Sequence, residues 1–187
     1  MRVISGIYKG RKLKAIDGMQ VRPTSDRLRE TLFNVISSGV KGARFVDLCA
    51  GTGAVGIEAL SRGAAHVTFI ESNRKASQGL ADNLQHCEIS ENVKVINRDV
   101  ISTLKYFDHH LMQFDYFYFD PPYESELYSQ VLWTLAKSKL LAEEGLVIVE
   151  HRKNFVLQPN YEHLRPYRQI AQGDSCLTFF SMERGIA

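Results

Sequence analysis

The turn Asp120-Pro121-Pro122-Tyr123 combines the residue types needed to act on an amino group attached to an aromatic base. Two prolines fix the backbone and remove two amide donors, so the turn presents the Asp120 carboxylate and backbone carbonyls as acceptors. An amine on a base is a poor nucleophile because its lone pair is delocalised, and two acceptors can draw its hydrogens toward a geometry that frees this pair. Since Tyr123 can stack on the base, the four residues predict a catalytic turn that alkylates a flipped or unpaired base.

A second motif, Gly51-Thr52-Gly53-Ala54-Val55-Gly56, follows a short apolar run that contains Asp47. Glycines at its first and third positions permit a sharp turn and let a ligand approach the backbone closely. The motif matches G-x-G-x-x-G, and Glu71 lies about 20 residues after the first glycine, as in dinucleotide-binding folds. These residues predict a site for an adenosine-bearing ligand and leave open whether it is a methyl donor or a nicotinamide dinucleotide.

Three acids, Glu71, Asp99 and Asp120, each follow a predicted strand directly. Because ligands of open α/β sheets bind at the carboxyl ends of parallel strands, we expect these acids to line one crevice. Glu71 is predicted to accept the ribose hydroxyls and Asp99 the amine of an adenine, with the Val100 backbone contacting the ring. The predicted cofactor residues are Asp47, Ala50, Gly51, Thr52, Gly53, Glu71, Ser72, Asp99 and Val100.

The elements that position these residues follow from hydrophobic periodicity. Predicted strands cover residues 44–48, 66–71, 93–97, 115–119 and 146–150, and predicted helices cover 54–62, 74–85, 100–107 and 126–139. A further helix is expected from near Asp26 to near Gly39, capped by Thr24 or Ser25. Segments 161–167 and 176–182 predict a closing antiparallel hairpin. The pattern predicts an α/β fold with a mostly parallel twisted sheet and helices on both faces.

The net charge of +2 is unevenly distributed along the chain. Residues 1–29 contain eight cations and two acids, a balance of +6, so the remainder carries −4. Two β-prone runs within residues 1–20 predict a basic hairpin ahead of a main domain at 21–187. We expect this segment to bind a polyanion, most simply nucleic acid. The predicted nucleic-acid contacts are Arg2, Lys9, Arg11, Lys12, Lys14, Arg22, Arg27 and Arg29.

Length and composition exclude several other classes. A chain of 187 residues with 44% hydrophobic content is expected to form one domain with at most a small appendage. No apolar run approaches the roughly 20 residues that span a bilayer, and the first residues are too polar for a secretion signal, so we expect a cytoplasmic protein. The three cysteines and six histidines have no metal-ligand or disulfide spacing.

Together these motifs resemble the class I S-adenosylmethionine-dependent methyltransferases that act on exocyclic amines. From residue 1 to about 150 the chain is similar to the RsmD-type family in particular, through R-V-I-S-G at 2–6, K-G-R-K-L at 9–13, R-P-T at 22–24 and G-I-E-A-L-S-R-G-A at 56–64. Cys49 and Thr52 stand where that family has Phe and Ser. The resemblance implies a Rossmann-like fold, S-adenosylmethionine as cofactor, and methylation of guanine N2 in small-subunit (16S) ribosomal RNA, free or in an assembling subunit. A monomer without metal is expected.

The residues themselves leave other functions open. An adenine-N6 methyltransferase would use the same D-P-P-Y turn, although 187 residues leave no room for a separate domain that reads a DNA target. A nicotinamide-dependent oxidoreductase would account for the glycine spacing but not for D-P-P-Y or the basic segment. An RNA-binding module without activity would account for the basic segment but not for the acids.

Overall fold

The computed structural model describes residues 1–16, 25–122 and 126–183. The chain divides into two compact units, Met1–Asp99 and Val100–Ala187. Tyr123, Arg22 and Thr24, which carry predictions from the sequence, lie outside the described residues. No helix in the described part of the chain is long and apolar enough to cross a membrane. The same residues contain no group of metal-ligating side chains that could hold an ion.

The first unit contains a three-stranded parallel sheet. Its strands are β1 (Arg44–Asp47), β2 (His66–Ile70) and β3 (Val93–Ile96), and its helices are α1 (Asp26–Ile36), α2 (Ala54–Ser61) and α3 (Arg74–His86), with a short 3-10 helix at Ser37–Val40. The central strand β2 pairs in parallel with β1 and with β3. The carboxyl ends of the three strands therefore lie at the same edge of the sheet.

The start, the buried face and the end of helix α1 agree with the signals in its own sequence. Ser25, one of the two predicted caps, accepts a hydrogen bond from the Leu28 amide at 3.1 Å. Apolar residues at helical spacing, including Leu32 and Phe33, are buried. The helix gives way to the 3-10 turn after Ile36, so the chain leaves helical geometry close to the predicted stop near Gly39.

The N-terminal segment does not form the two strands that the sequence predicts. A single antiparallel bridge joins Arg2 to Lys12, flanked by hydrogen bonds from the Val3 amide to the Arg11 carbonyl and from the Leu13 amide to the Met1 carbonyl, both at 3.0 Å. Val3 and Leu13 are buried. The segment belongs to the first compact unit, and a role of residues 1–20 as an RNA-binding appendage stays a prediction.

The second unit contains a four-stranded mixed sheet. Its helices are α4 (Val100–His109) and α5 (Leu127–Lys137), and its strands are β4 (Phe114–Phe119), β5 (Leu141–Arg152), β6 (Leu164–Gln172) and β7 (Ser175–Met182). Strand β4 is parallel to β5, whereas β7 is antiparallel to both β5 and β6. The predicted closing hairpin is confirmed, although its first strand lies at Leu164–Gln172 and not at 161–167. The fold is the predicted mostly parallel α/β arrangement.

Strand β5 begins earlier than the predicted start at Leu146. Its first part contains exposed Glu143 and Glu144 and then Gly145, which are poor strand formers and hide the strand from a hydrophobicity pattern. The pairing with β4 is irregular there, with a register shift between Phe114 and Tyr116. Beyond this shift the strand is buried from Val147 to His151.

Candidate cofactor site and catalytic turn

Asp47 ends β1 and is buried, with 2% of its surface exposed. Its Oδ2 accepts a hydrogen bond from the Gly56 amide of α2 at 3.1 Å. Burial raises the pKa of Asp47 to about 7, the bond from Gly56 lowers it, and the nearby charge of Glu71 raises it. Asp47 therefore fixes α2 to the end of β1, and a bound cation beside it would favour its ionised form.

The glycine turn adopts conformations that side chains disfavour. Gly51 and Gly53 have φ of +51° and +80°. A Cβ on Gly53 would lie 2.2 Å from Leu80 Cδ1, whereas a Cβ on Gly51 would meet no atom within 4 Å among the described residues. The first of these glycines thus borders open space, as expected for a backbone that a ligand approaches. The turn is held by a hydrogen bond from the Ala50 amide to the Ile70 carbonyl at 3.0 Å.

The third glycine of the motif has a packing role. A Cβ on Gly56 would lie 2.2 Å from the Phe69 ring and 2.9 Å from Val67. Helix α2 therefore packs directly on β2 at this point. This is the close helix–strand contact that the last glycine of a G-x-G-x-x-G motif allows.

Glu71 follows β2 and holds the glycine turn. Its Oε2 accepts from the Gly51 amide at 2.9 Å, and its Oε1 accepts from the Asn73 amide at 2.8 Å. Each carboxylate oxygen retains acceptor capacity after one hydrogen bond. The two amides thus fix the carboxylate beside the turn while leaving it able to accept hydroxyl donors of a ligand.

Asn97 is a positioning residue that sequence reasoning missed. Its Nδ2 donates to the Glu71 carbonyl at 2.7 Å and to the Ser72 carbonyl at 3.2 Å. It therefore joins the chain after β3 to the chain after β2, where two predicted cofactor residues lie. Asp99 is exposed two residues further on, and Val100 is the buried first residue of α4.

The predicted catalytic turn begins where β4 ends at Phe119. Asp120 is half-buried, Pro121 is buried and Pro122 is exposed. Strand β4 is anchored near this turn by the buried Tyr118, whose hydroxyl donates to the carboxylate of buried Glu150. Asp120 therefore directly follows a mostly buried strand, and its convergence with the predicted cofactor residues stays a prediction.

Buried Glu58 in α2 ties the N-terminal segment to the first unit. Its carboxylate accepts from the Ile4 amide at 2.7 Å and from the Ser5 amide at 3.0 Å. The same carboxylate pairs with Arg62 at 2.7 Å and with Arg29 at 3.8 Å. A buried carboxylate is stable only when paired and hydrogen-bonded, so this segment is part of the folded body.

The prediction that Arg29 contacts nucleic acid is wrong. Its side chain is completely buried, and it donates to the Arg2 carbonyl at 2.6 Å and to Asp26 at 2.9 Å. A cation in the first turn of a helix opposes the helix dipole, and the two acids Asp26 and Glu58 offset this cost. Arg29 is a structural residue.

The other described cations of the segment differ in their availability. Arg11 is half-buried, donates to the Cys87 carbonyl and pairs with Glu88 at 3.1 Å. The cations whose residues are exposed are Arg2, Lys9, Lys12, Lys14 and Arg27. These five remain predicted contacts for a polyanion.

Asn83 in α3 joins the N-terminal segment to the glycine turn. Its Oδ1 accepts from the Lys14 amide at 2.8 Å, and its Nδ2 donates to the Lys14 carbonyl at 3.1 Å and to the Thr52 carbonyl at 2.9 Å. The side chain is completely buried. One amide therefore holds both a basic predicted RNA contact and a residue of the predicted cofactor turn.

The parallel strands, the glycine turn held by Glu71 and the Asp-Pro-Pro turn after β4 define a class I S-adenosylmethionine-dependent methyltransferase. The same fold occurs in SMU.776, described as a methyltransferase whose crystal structure contains S-adenosylhomocysteine (TM-score 0.65, 16% identity, covering 82% of this chain and 48% of that chain). The chain belongs to the family described as conserved hypothetical protein 95, whose model matches residues 1–181, and the RsmD-type resemblance is confirmed.

Relatives and solved structures match over most of the chain. Ribosomal RNA small subunit methyltransferase D of Escherichia coli strain K12 is 36% identical, covering 94% of this chain and 93% of the relative. The protein of the same name from Haemophilus influenzae is 36% identical over 82% of this chain and 80% of the relative. The solved structure of YhhF from Escherichia coli has a TM-score of 0.85 and 34% identity, covering 98% of each chain. These matches favour the methyltransferase over the nicotinamide-dependent alternative.

Proposed function

We propose that the protein transfers a methyl group from S-adenosylmethionine to the exocyclic N2 amine of a guanine in small-subunit ribosomal RNA. The observation that carries the proposal is an acceptor-rich Asp-Pro-Pro turn at the end of β4 in a chain whose relatives are named ribosomal RNA small subunit methyltransferase D. The names of those relatives support ribosomal RNA as the substrate. The turn supports an amine as the group that is methylated.

The residues of the first unit fit S-adenosylmethionine. Gly51 borders open space where an adenosine can approach the backbone, and Glu71 is fixed by two amides with acceptor capacity left for ribose hydroxyls. Asp47 supplies a buried carboxylate whose ionised form a cationic ligand would favour. When bound, S-adenosylmethionine supplies an electrophilic methyl group on a sulfonium sulfur.

The residues of the catalytic turn are proposed to act on the amine. The Asp120 carboxylate and the Pro121 carbonyl accept its two hydrogens and favour a pyramidal nitrogen, whose lone pair is no longer conjugated with the base and can attack the methyl group. The half-buried position of Asp120 strengthens such a charged hydrogen bond relative to one in bulk water. Tyr123 is proposed to stack on the base and orient it.

The decisive experiment identifies the methylated nucleoside. Undermodified small subunits, and separately their naked RNA, are incubated with the enzyme and S-adenosylmethionine, digested to nucleosides and analysed by mass spectrometry. We expect N2-methylguanosine. Because adenine N6 offers the same amine to the turn, N6-methyladenosine as the sole product would contradict the proposal and assign the enzyme to adenine.

The partner is ribosomal RNA, free or within a partly assembled small subunit. The protein is expected to work as a monomer and without a metal ion. Its place of action is the cytoplasm, where ribosomal RNA is assembled into subunits.

A further inference from the structure

A groove in the second unit lies outside the predicted catalytic turn. It is formed by Lys153 and residues 155–159, which follow β5, and by the exposed residues 166–169 of β6. Its volume is about 510 Å³. Buried Thr178 and Phe180 of β7 also line it. The groove is therefore a preformed feature of the closing hairpin and its neighbouring loop.

The groove exposes apolar side chains that a folded protein usually covers. Val156 is 88% exposed and Tyr167 is 53% exposed, and both are among the few large hydrophobic residues exposed in the described part of the chain. A tyrosine ring presented to solvent beside a groove offers a face on which another aromatic ring can stack. The surface thus favours a ligand that contains flat aromatic groups.

The charged residues that line the groove are both cations. Lys153 and Arg168 line it and are exposed, and none of its described lining residues is acidic. This contrasts with the chain beyond residue 29, whose overall charge is negative. A local positive field on an acidic body favours an anionic ligand.

The edge of the sheet disfavours a peptide strand as the occupant. Strand β6 pairs with β7 alone among the described strands, so its outer side is an edge. Pro166 has no amide donor, and the register shifts between Pro166 and Arg168, which places Tyr167 in a bulge. Both features interrupt the row of hydrogen-bonding groups that an added strand requires.

We propose that this groove binds an unpaired segment of the substrate RNA, with one base stacked on Tyr167 and neighbouring phosphates on Lys153 and Arg168. Stacking on an aromatic side chain combined with cations that follow the backbone is the general mode of single-strand recognition. The proposal rests on the proposed function, because it concerns the RNA that the enzyme methylates. It adds a second contact surface, in a different unit from the basic N-terminal segment.

The proposal is tested with surface variants that leave the core intact. Tyr167→Ala is compared with Tyr167→Phe, which keeps the ring, and with Tyr106→Ala, which removes another exposed tyrosine of the same unit. The charge test is the double variant Lys153→Ala/Arg168→Ala, with Lys105→Ala/Lys139→Ala as its matched control. Thermal melting and calorimetric binding of S-adenosylhomocysteine establish that each variant is folded and holds cofactor.

RNA affinity is measured by fluorescence anisotropy with a fluorescein-labelled fragment of small-subunit RNA and with labelled oligouridine. We expect Tyr167→Ala to weaken binding about five- to a hundred-fold, as for loss of one stacked base, and Tyr167→Phe to bind normally. The double cation variant should bind more weakly and lower the salt slope by roughly 0.7 for each lost phosphate contact. In turnover, the KM for RNA should rise while kcat is retained.

The outcomes separate this proposal from the proposed function. Wild-type methylation of guanine together with unchanged RNA affinity in both groove variants would overturn the groove and leave the function standing. Absence of any RNA methylation by the wild type would refute the function itself. The groove variants could also bind naked RNA normally but methylate assembled subunits poorly. That result would assign the groove to a ribosomal protein and would overturn the proposal as well.

Discussion

Replacing Glu71 tests the cofactor site most directly, because its carboxylate is expected to serve the ligand and the turn at once. In Glu71→Ala the ribose hydroxyls lose a charged acceptor, and such a hydrogen bond contributes about 1.5–3 kcal/mol. The Gly51 amide, now bonded at 2.9 Å, loses its acceptor in the same variant. Since about 1.4 kcal/mol corresponds to a factor of ten, we expect affinity for S-adenosylhomocysteine to fall ten- to a hundred-fold.

Glu71→Gln tests whether Glu71 acts through its two hydrogen-bond acceptors or only through the volume of its side chain. A glutamine side chain has one acceptor oxygen and one donor nitrogen, whereas Glu71 faces two amide donors, from Gly51 and Asn73. One of these donors would then face another donor. We therefore expect the isosteric glutamine to bind cofactor poorly as well, which a role limited to filling space would not produce.

Isothermal titration calorimetry with S-adenosylhomocysteine provides the measurement, and thermal melting shows whether each variant is folded. Glu91→Ala is the matched control, since Glu91 is an exposed glutamate in the loop before β3. Affinities of Glu71→Ala and Glu71→Gln within a factor of two of the wild type would refute the assignment of Glu71 to the ribose.

Three further predictions concern chemistry, pH and the basic segment. Asp120→Ala should abolish most RNA methylation while calorimetric affinity for S-adenosylhomocysteine stays near wild type, and normal turnover would remove Asp120 from the catalytic residues. The folded-state pKa of Asp47 is about 7, above its ordinary value of 3.8, so the folded state binds the proton more tightly and loses stability as pH rises from about 4 through 7. Urea unfolding at pH 5 and pH 8 should show this loss in the wild type and a smaller one in Asp47→Asn; equal losses would contradict it. Lys9→Ala/Lys12→Ala should weaken RNA binding and its salt dependence without changing cofactor affinity, and unchanged RNA affinity would mean that these lysines belong to an ordinary solvated surface.

Substitution of surface lysines is a cleaner test of the basic segment than its deletion. Removing residues 1–20 would leave the buried carboxylate of Glu58 without the Ile4 and Ser5 amides, and Asn83 without the Lys14 backbone. Unsatisfied buried polar groups cost about 1–3 kcal/mol each. A truncated protein would therefore lose stability for reasons unrelated to RNA.

The sequence predicted the elements of this fold well because their signals are local. Helix α1 illustrates this, since its cap Ser25 and its apolar spacing lie within the helix sequence itself. The start of β5 was missed because Glu143 and Gly145 carry no strand signal, and the pairing with β4 is irregular between Leu141 and Leu146.

The site predictions failed where a side chain bonds to a partner that is distant in sequence. Glu58 bonds to amides more than fifty residues away, and Asn83 bonds to Lys14 69 residues away. Without those partners, Arg29 resembles one more member of a basic cluster, although its side chain pairs with Asp26 and with buried Glu58. Residue type and spacing could identify the chemical groups, but they could not show which cations the fold had already paired.

The position of the first residue has a consequence for cofactor binding. Met1 Sδ lies 3.9 Å from Thr52 Oγ1, so the Met1 side chain lies against the glycine turn. A bulky group attached at Met1 would therefore crowd the backbone that a cofactor is expected to approach, so a substitution far from the catalytic turn in sequence would change cofactor affinity.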